Sequence, residues 1–230
     1  MSSPRKEQLK ASVIVAVYNQ ERFIGRCLRS LIHQNLSHME YEIIVVNDGS
    51  TDRTAYALSQ FCDPQDSLVK VLTNKGNQGL PAALNKGIRS ARAPFIVRVD
   101  SDDFVNVNFL NVLLAYLQAN KKADAVACDY LVLDDREKVL SRENCQKKPI
   151  ACGIMFRKTQ LMKIGLHDEE FLLHEERELR IRFEKKYRIH RLEVPLYRYR
   201  RHDRNLTSDK ARMVHYGKKL AAKHGIHLGV

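Results

Sequence analysis

The sequence predicts an α/β fold: a single domain with a mostly parallel central sheet flanked by helices. Three observations carry that expectation. Short β-branched runs alternate with helical stretches through the first hundred residues, the pattern of βαβ units with right-handed crossovers. A polar loop directly follows each of the first four runs. At 230 residues and 44% hydrophobic content, with no low-complexity tract, the chain can bury a substantial core.

The elements follow in order. "ASVIVAV" (11–17) reads as a buried strand. In "ERFIGRCLRSLIHQ" (21–34), Phe23, Ile24, Cys27, Leu28, Leu31 and Ile32 form one apolar helical stripe. "EIIVV" (42–46) is a second buried strand, and after its loop Ser50 or Thr51 is expected to cap a helix running through Leu58 and Phe61. "LVKVL" (68–72) is a third strand, followed by the loop "TNKGNQG" and a helix opening at Leu80–Pro81, where proline suits the first turn. "FIVRV" (95–99) is the fourth. The second half is less regular. "FLNVLLAYLQAN" (109–120) is helical, and "ADAVACDYLVLDD" gives one or two strands with a turn near Asp134–Asp135. "ACGIMF" (151–156) is a short strand, "RKTQLMKIG" a helix stopped by Gly165, and "HEERELRIRFEKKY" (174–187) a further helix. The boundaries expected are a domain over 10–205, with a nucleotide-binding half (10–103) and an acceptor half (104–205), then a basic, partly helical tail over 206–230.

Charge and composition exclude several classes. No apolar run approaches the roughly 18–20 residues of a membrane span, and the polar start "MSSPRKEQLK" lacks a signal-peptide core, so a cytoplasmic location is expected. Five scattered cysteines without a CxxC pair support neither a zinc site nor a disulfide framework. A net charge of +12, concentrated after Arg177, suits a polyanionic partner: nucleotide phosphates, nucleic acid or an anionic membrane face. Without an RNA-binding or zinc-finger signature or a tryptophan, nucleic acid is not the expected partner.

Parallel sheets bind ligands at the carboxyl ends of their strands. The loops "YNQE" (18–21), "NDGSTD" (47–52), "NKGNQG" (74–79) and "DSDD" (100–103) would therefore crowd one rim. Asp100, Asp102 and Asp103 repel one another, which full solvation, a cation or a ligand must offset. A solvated turn is one reading. The polar loops sharing the rim favour the other, a Mg²⁺ or Mn²⁺ ion held by carboxylates and a substrate phosphate. "HEER" lacks the second histidine of HExxH, because position 178 is Glu178. Glu176 is expected on the inward helical face with Leu179 and Phe183, where a carboxylate serves as a general base or pairs with an arginine. No Walker motif is present, and "GNQG" is not GxGxxG. His202, in "YRRHDRNLTSD", reads either as an idle loop histidine or as a group near metal or phosphate.

The ordered segments "VIVAVYNQE", "EIIVVNDGSTDRT", "NKGNQGLPAALNKGIRSA", "FIVRVDSDD", "GIMFRK", "IGLHDEEF" and "HEERELRIRF" resemble a family 2 glycosyltransferase of GT-A fold across roughly residues 11–205. The resemblance implies an inverting enzyme using a nucleotide-diphosphate sugar. Tyr18 and Asn19, with Ala16 and Glu21 nearby, would border the nucleoside. Asp48 would accept a hydrogen bond from the base, favouring a UDP-sugar, and Asn85 would line the nucleotide pocket. Asp100 and Ser101 would lie by the ribose. Asp102 would hold a divalent cation (Mn²⁺ or Mg²⁺), with His202 a further candidate at metal or phosphate, and Asp103 would assist or face the acceptor. The second carboxylate of the acidic pair Glu175–Glu176 would be the base. Here Glu-Glu-Arg stands where the family more often has Glu-Asp and an aromatic residue. The implied acceptor is a glycan or lipid-linked hydroxyl, and the basic C-terminal stretch suits peripheral docking on an anionic membrane as well as it suits an ordinary basic surface. A nucleotidyltransferase would need a glycine-rich, Lys/Arg-bearing loop after the first strand, which "AVYNQE" lacks; a non-catalytic nucleotide-sugar module would show slow, metal-independent donor hydrolysis.

Overall fold

The computed structural model describes residues 8–62, 68–202 and 209–226. The expected boundary at 205/206 and the first seven residues lie outside the described residues. The first half runs β1 (Ala11–Val17), α1 (Ile24–Ile32), β2 (Tyr41–Asn47), α2 (Thr54–Ser59), β3 (Val69–Thr73), α3 (Leu80–Ser90) and β4 (Phe95–Arg98). Then come β5 (Phe104–Val105), α4 (Phe109–Ala119), β6 (Ala125–Leu133), β7 (Val139–Glu143), β8 (Ile154–Arg157), α5 (Lys158–Ile164), α6 (Glu175–Glu184), β9 (Ile189–Arg200) and α7 (Lys210–His224). The nine strands among the described residues join one sheet in the order β3-β2-β1-β4-β8-β6-β9-β5, with β7 paired to β6.

The α/β class is as expected, and the parallel part is the run β3-β2-β1-β4. Beyond β4 the sheet is mixed: β8 is antiparallel to both β4 and β6, while β6 and β9 run parallel. Strands β1 and β2 are buried along almost their whole length. That is why they read as continuous β-branched runs: helices cover both faces, and no position is left for a polar residue to reach water. β3, at the sheet edge, leaves Lys70 and Thr73 exposed and its other residues half-buried.

Two expectations change, and one strand had no expectation. Neither Ser50 nor Thr51 caps α2; their hydroxyls bond to Asn19, and Asp52 Oδ1 instead accepts the N–H of Thr54. β9, hidden in the basic run, is a twelve-residue strand. Its Pro195 falls where the register against β6 shifts around Asp129, so the lost N–H breaks no regular ladder. The helical part of the expected tail is not separate from the domain. In α7 Leu220 is fully buried, Lys219 pairs with Glu170, and Lys223 bridges Asp168 and Glu178. Cys27, Cys128, Cys145 and Cys152 are buried and free, and Cys62 is exposed.

Helix α3 lies close against β1 and β2 because Gly87 has no side chain. A Cβ there would come within 2.6 Å of Ile14 Cγ2 and 3.3 Å of Val46 Cγ2. In an open helix Gly→Ala would gain about 1 kcal/mol. Here overpacking against two stiff β-branched residues opposes that gain by roughly 1–3 kcal/mol. Gly87→Ala is therefore expected to lower the urea midpoint at unchanged slope; a raised midpoint would show that α3 does not sit this tightly.

Candidate active site

The loops after β1, β2 and β4 and the Gly79 end of the loop after β3 line one cleft of about 1560 Å³. Residues 149–152 and 172–176, together with Arg212 and Met213 of α7, line it as well. Ala16, Tyr18, Asn19, Glu21, Asp48, Asp100, Ser101, Asp102 and Glu176 all line this cleft, so nearly every expected residue is brought to one place.

The first two loops are bound to each other. Asn19 adopts φ 52°, a left-handed conformation that asparagine tolerates. Its Oδ1 accepts from the N–H groups of Thr51 (2.8 Å) and Asp52 (3.3 Å), and its own N–H donates to Ser50 Oγ. Glu21 Oε2 accepts from the Arg53 N–H at 2.8 Å. Asn19 and Glu21 thus shape the cleft wall as well as lining it. Tyr18 is exposed at the rim.

Asp48 is almost fully buried. Its oxygens accept from Asn74 Nδ2 (2.7 Å), the Gln78 N–H (3.0 and 3.1 Å) and the Gly79 N–H (2.9 Å). A carboxylate offers about four acceptor positions, so the first task of Asp48 is to fix the loop after β3. Gly49 completes the contact: with φ 71°, a Cβ there would lie 2.6 Å from the Gly76 backbone. Asn85 corrects the expectation that it lines the pocket. Its amide is spent on the 167–169 segment, donating to the His167 carbonyl and Glu169 Oε1 and accepting the His167 N–H, each at 2.9 Å. It braces α3 and is not among the residues lining the cleft.

The three clustered aspartates have three different environments. Asp100 receives Arg98 Nε at 2.6 Å and Nη2 at 3.3 Å. Asp102 lies 2.9 Å from His202 Nε2. His202 is no idle loop residue: it is buried and its ring stacks on Phe23 at 4.8 Å. Asp103 is fully buried, accepting the Tyr197 hydroxyl (2.8 Å) and the Arg200 N–H (2.7 Å). Burial, then the charges of Asp102 and Asp100, push its pKa well above the usual carboxylate range. Asp103 therefore supports the turn from beneath rather than facing an acceptor. Tyr197 completes that support, since its oxygen also accepts the Asp100 N–H at 3.1 Å.

On α6 the inward carboxylates are Glu175 and Glu178; Glu176 is half-buried and opens onto the cleft. Glu178, with no exposure, is held by Arg182 and Lys223. Burial alone would raise its pKa, but those two cations pull it below the ordinary value. Glu175 receives Arg98 Nη1 at 3.0 Å; burial outweighs that pull and pushes it up to about 7. The pairing with an arginine weighed for Glu176 thus belongs to its neighbour. Arg98, only 12% exposed, joins Asp100 to Glu175 and was missed by sequence reasoning. A lone charge inside the apolar run "FIVRV" was its signal. Arg53, Tyr56, His174 and Arg212, which also line the cleft, carried none.

Hard cations prefer oxygen donors. Asp100, Asp103 and Cys152 have donor atoms within 4.8 Å of one another. That trio suits Mg²⁺ or Mn²⁺ poorly: the Asp103 oxygens are occupied, and burial holds the Cys152 thiol well above its usual pKa. Asp102, which lines the cleft, with His202 2.9 Å behind it, offers a carboxylate and an imidazole and fits such an ion better.

Comparison with known proteins agrees with this architecture. EpsH of Bacillus subtilis (strain 168) is 38% identical over 136 residues, 59% of this chain and 38% of EpsH. The poly(ribitol-phosphate) beta-N-acetylglucosaminyltransferase TarS of Staphylococcus aureus is 36% identical over 110 residues, 47% of this chain and 19% of TarS. The chain thus spans well under half the length of these curated relatives. Among solved structures, S. aureus TarS 1–349 in complex with UDP-GlcNAc superposes with a TM-score of 0.78 at 22% identity, covering 94% of this chain and 66% of the other. The mannosyltransferase PcManGT of Pyrobaculum calidifontis, in complex with GDP-Man and Mn²⁺, gives 0.76 at 18% identity, covering 97% and 66%. Both likenesses are of fold. The family model described as glycosyl transferase family 2 matches residues 12–171, and the chain, with its GT-A fold, belongs to that family.

Proposed function

We propose that this chain is an inverting glycosyltransferase that moves a sugar from a UDP-sugar to a hydroxyl of a glycan or lipid-linked acceptor. One observation carries the reading: in a family 2 chain, the strand-end loops and Glu176 line the same cleft. TarS, named for N-acetylglucosaminyl transfer and solved with UDP-GlcNAc, supports a nucleotide-sugar donor.

Tyr18, Asn19, Glu21 and Asp48 border the nucleoside, with Ala16 beneath it, and Asp100 and Ser101 lie at the ribose. Asp102 and His202 would hold Mn²⁺ or Mg²⁺, which when bound supplies Lewis-acid neutralisation of the diphosphate leaving group. Glu176 takes the proton of the acceptor hydroxyl as that oxygen attacks the anomeric carbon, opposite the departing nucleoside diphosphate. The fixed Arg98–Glu175 pair keeps the first turn of α6 in place, so Glu176 meets the acceptor without rearrangement. No described helix is long and apolar enough to cross a membrane.

Three outcomes test the reading. Glu176→Gln should retain UDP-induced thermal stabilisation while turnover falls by roughly 10²–10⁴; transfer at the parental rate removes Glu176 from the base role. Asp102→Ala should lose the Mn²⁺-dependent part of transfer in a metal titration, whereas an unchanged Mn²⁺ response places the ion elsewhere. The product's anomeric proton coupling should report configuration opposite to the donor's, and retained configuration contradicts direct displacement.

A further inference from the structure

A second cavity, of about 390 Å³, lies behind Glu176, within the range of roughly 300–1,000 Å³ that small-ligand pockets occupy. Its walls are mainly aliphatic and aromatic: Ile88, Ile96, Ile154, Phe156, Leu161 and Ile189. It shares Arg98, Ile150, Ala151, His174, Glu176 and Met213 with the cleft, so the two spaces adjoin at the proposed base. Packed interiors hold few voids larger than a water, and this one is many times larger.

Two features distinguish it from a packing defect. His167 lines it, and the buried Nδ1 of that ring has no hydrogen-bond partner among the described residues. Burial, then the charges of Arg98 and Arg182, drive the His167 pKa down to about 3 against a backbone hydrogen bond at Glu175, so the ring is neutral and puts no charge against an apolar occupant. On the solvent side stands Arg177, exposed and without an ion pair among the described residues. Sugar hydroxyls would find few partners on such walls, so the donor sugar does not belong there.

We propose that this cavity is an acceptor subsite that takes the apolar aglycone of an amphiphilic acceptor, with the acceptor's reactive hydroxyl at Glu176 and its anionic linkage beside Arg177. The proposal rests on Glu176 being the base. It selects an acceptor with a hydrocarbon or aryl portion next to the accepting sugar over a purely polar polysaccharide.

The test uses n-alkyl β-glucosides from hexyl to decyl, each below its micelle concentration, titrated calorimetrically into the full chain. Affinity should rise about fourfold per added methylene until the cavity is full. Two cavity-filling variants, Leu161→Phe and Ile189→Phe, lie outside the residues lining the cleft. Either should flatten that dependence and leave UDP binding unchanged. Affinity independent of chain length, or the same dependence in the filled variants, overturns the subsite while leaving the glycosyltransferase reading intact. A steep dependence in a chain that binds neither UDP nor UDP-sugars overturns the reading itself, and the acceptor role with it.

Discussion

Arg98 is a charged side chain at the end of an apolar strand, and its ion pairs fix the geometry of the cleft. On one side its guanidinium grips Asp100, in the loop that follows β4. On the other it reaches Glu175, the first residue of α6. These three groups are largely buried, so losing one would leave the others as uncompensated charge, at a cost of roughly 3–5 kcal/mol. The sheet also changes character at β4, parallel on one side and antiparallel on the other. Arg98 therefore ties the parallel part of the sheet to the helix that presents Glu176.

The rest of the polar framework serves the same end. Asp48 gathers the loop after β3, Asn19 and Glu21 tie the loop after β1 to that after β2, and Tyr197 with Asp103 supports the acidic turn from below. Because these groups are spent on the protein, Asp102 and Glu176 can stand at fixed positions at the cleft, with His202 behind Asp102. The crowded aspartates are tolerated for different reasons: an arginine pairs with Asp100, an imidazole bonds to Asp102, and burial raises the Asp103 pKa toward the neutral acid.

Much of the parallel half was legible in the sequence, since β1, β2 and β4 are covered on both faces and so are written as apolar runs. The polar loops after them were legible for the same reason. β9 was not: its arginines Arg191, Arg198 and Arg200 interrupt the apolar pattern while making specific pairs with Asp129, the Pro195 carbonyl and Glu137. Asn85 and Asp103 were read as site residues because position along the chain does not say which way an amide or carboxylate turns. Glu175 and Glu176 are adjacent, so helical periodicity could not tell the buried partner of Arg98 from the residue on the cleft. Docking of α7 depended on pairs such as Lys223–Glu178, which join residues forty-five positions apart and leave no local trace.

The central claim is that one cleft binds the nucleotide of a sugar donor next to a metal-holding Asp102. Calorimetric titration of UDP into the full chain, first with Mn²⁺ and then with a chelator, tests it most directly. The account predicts a single saturable site that a UDP-sugar competes for, with affinity at least about tenfold higher in Mn²⁺, a gain of about 1.4 kcal/mol. Absence of saturable binding in both conditions would contradict it.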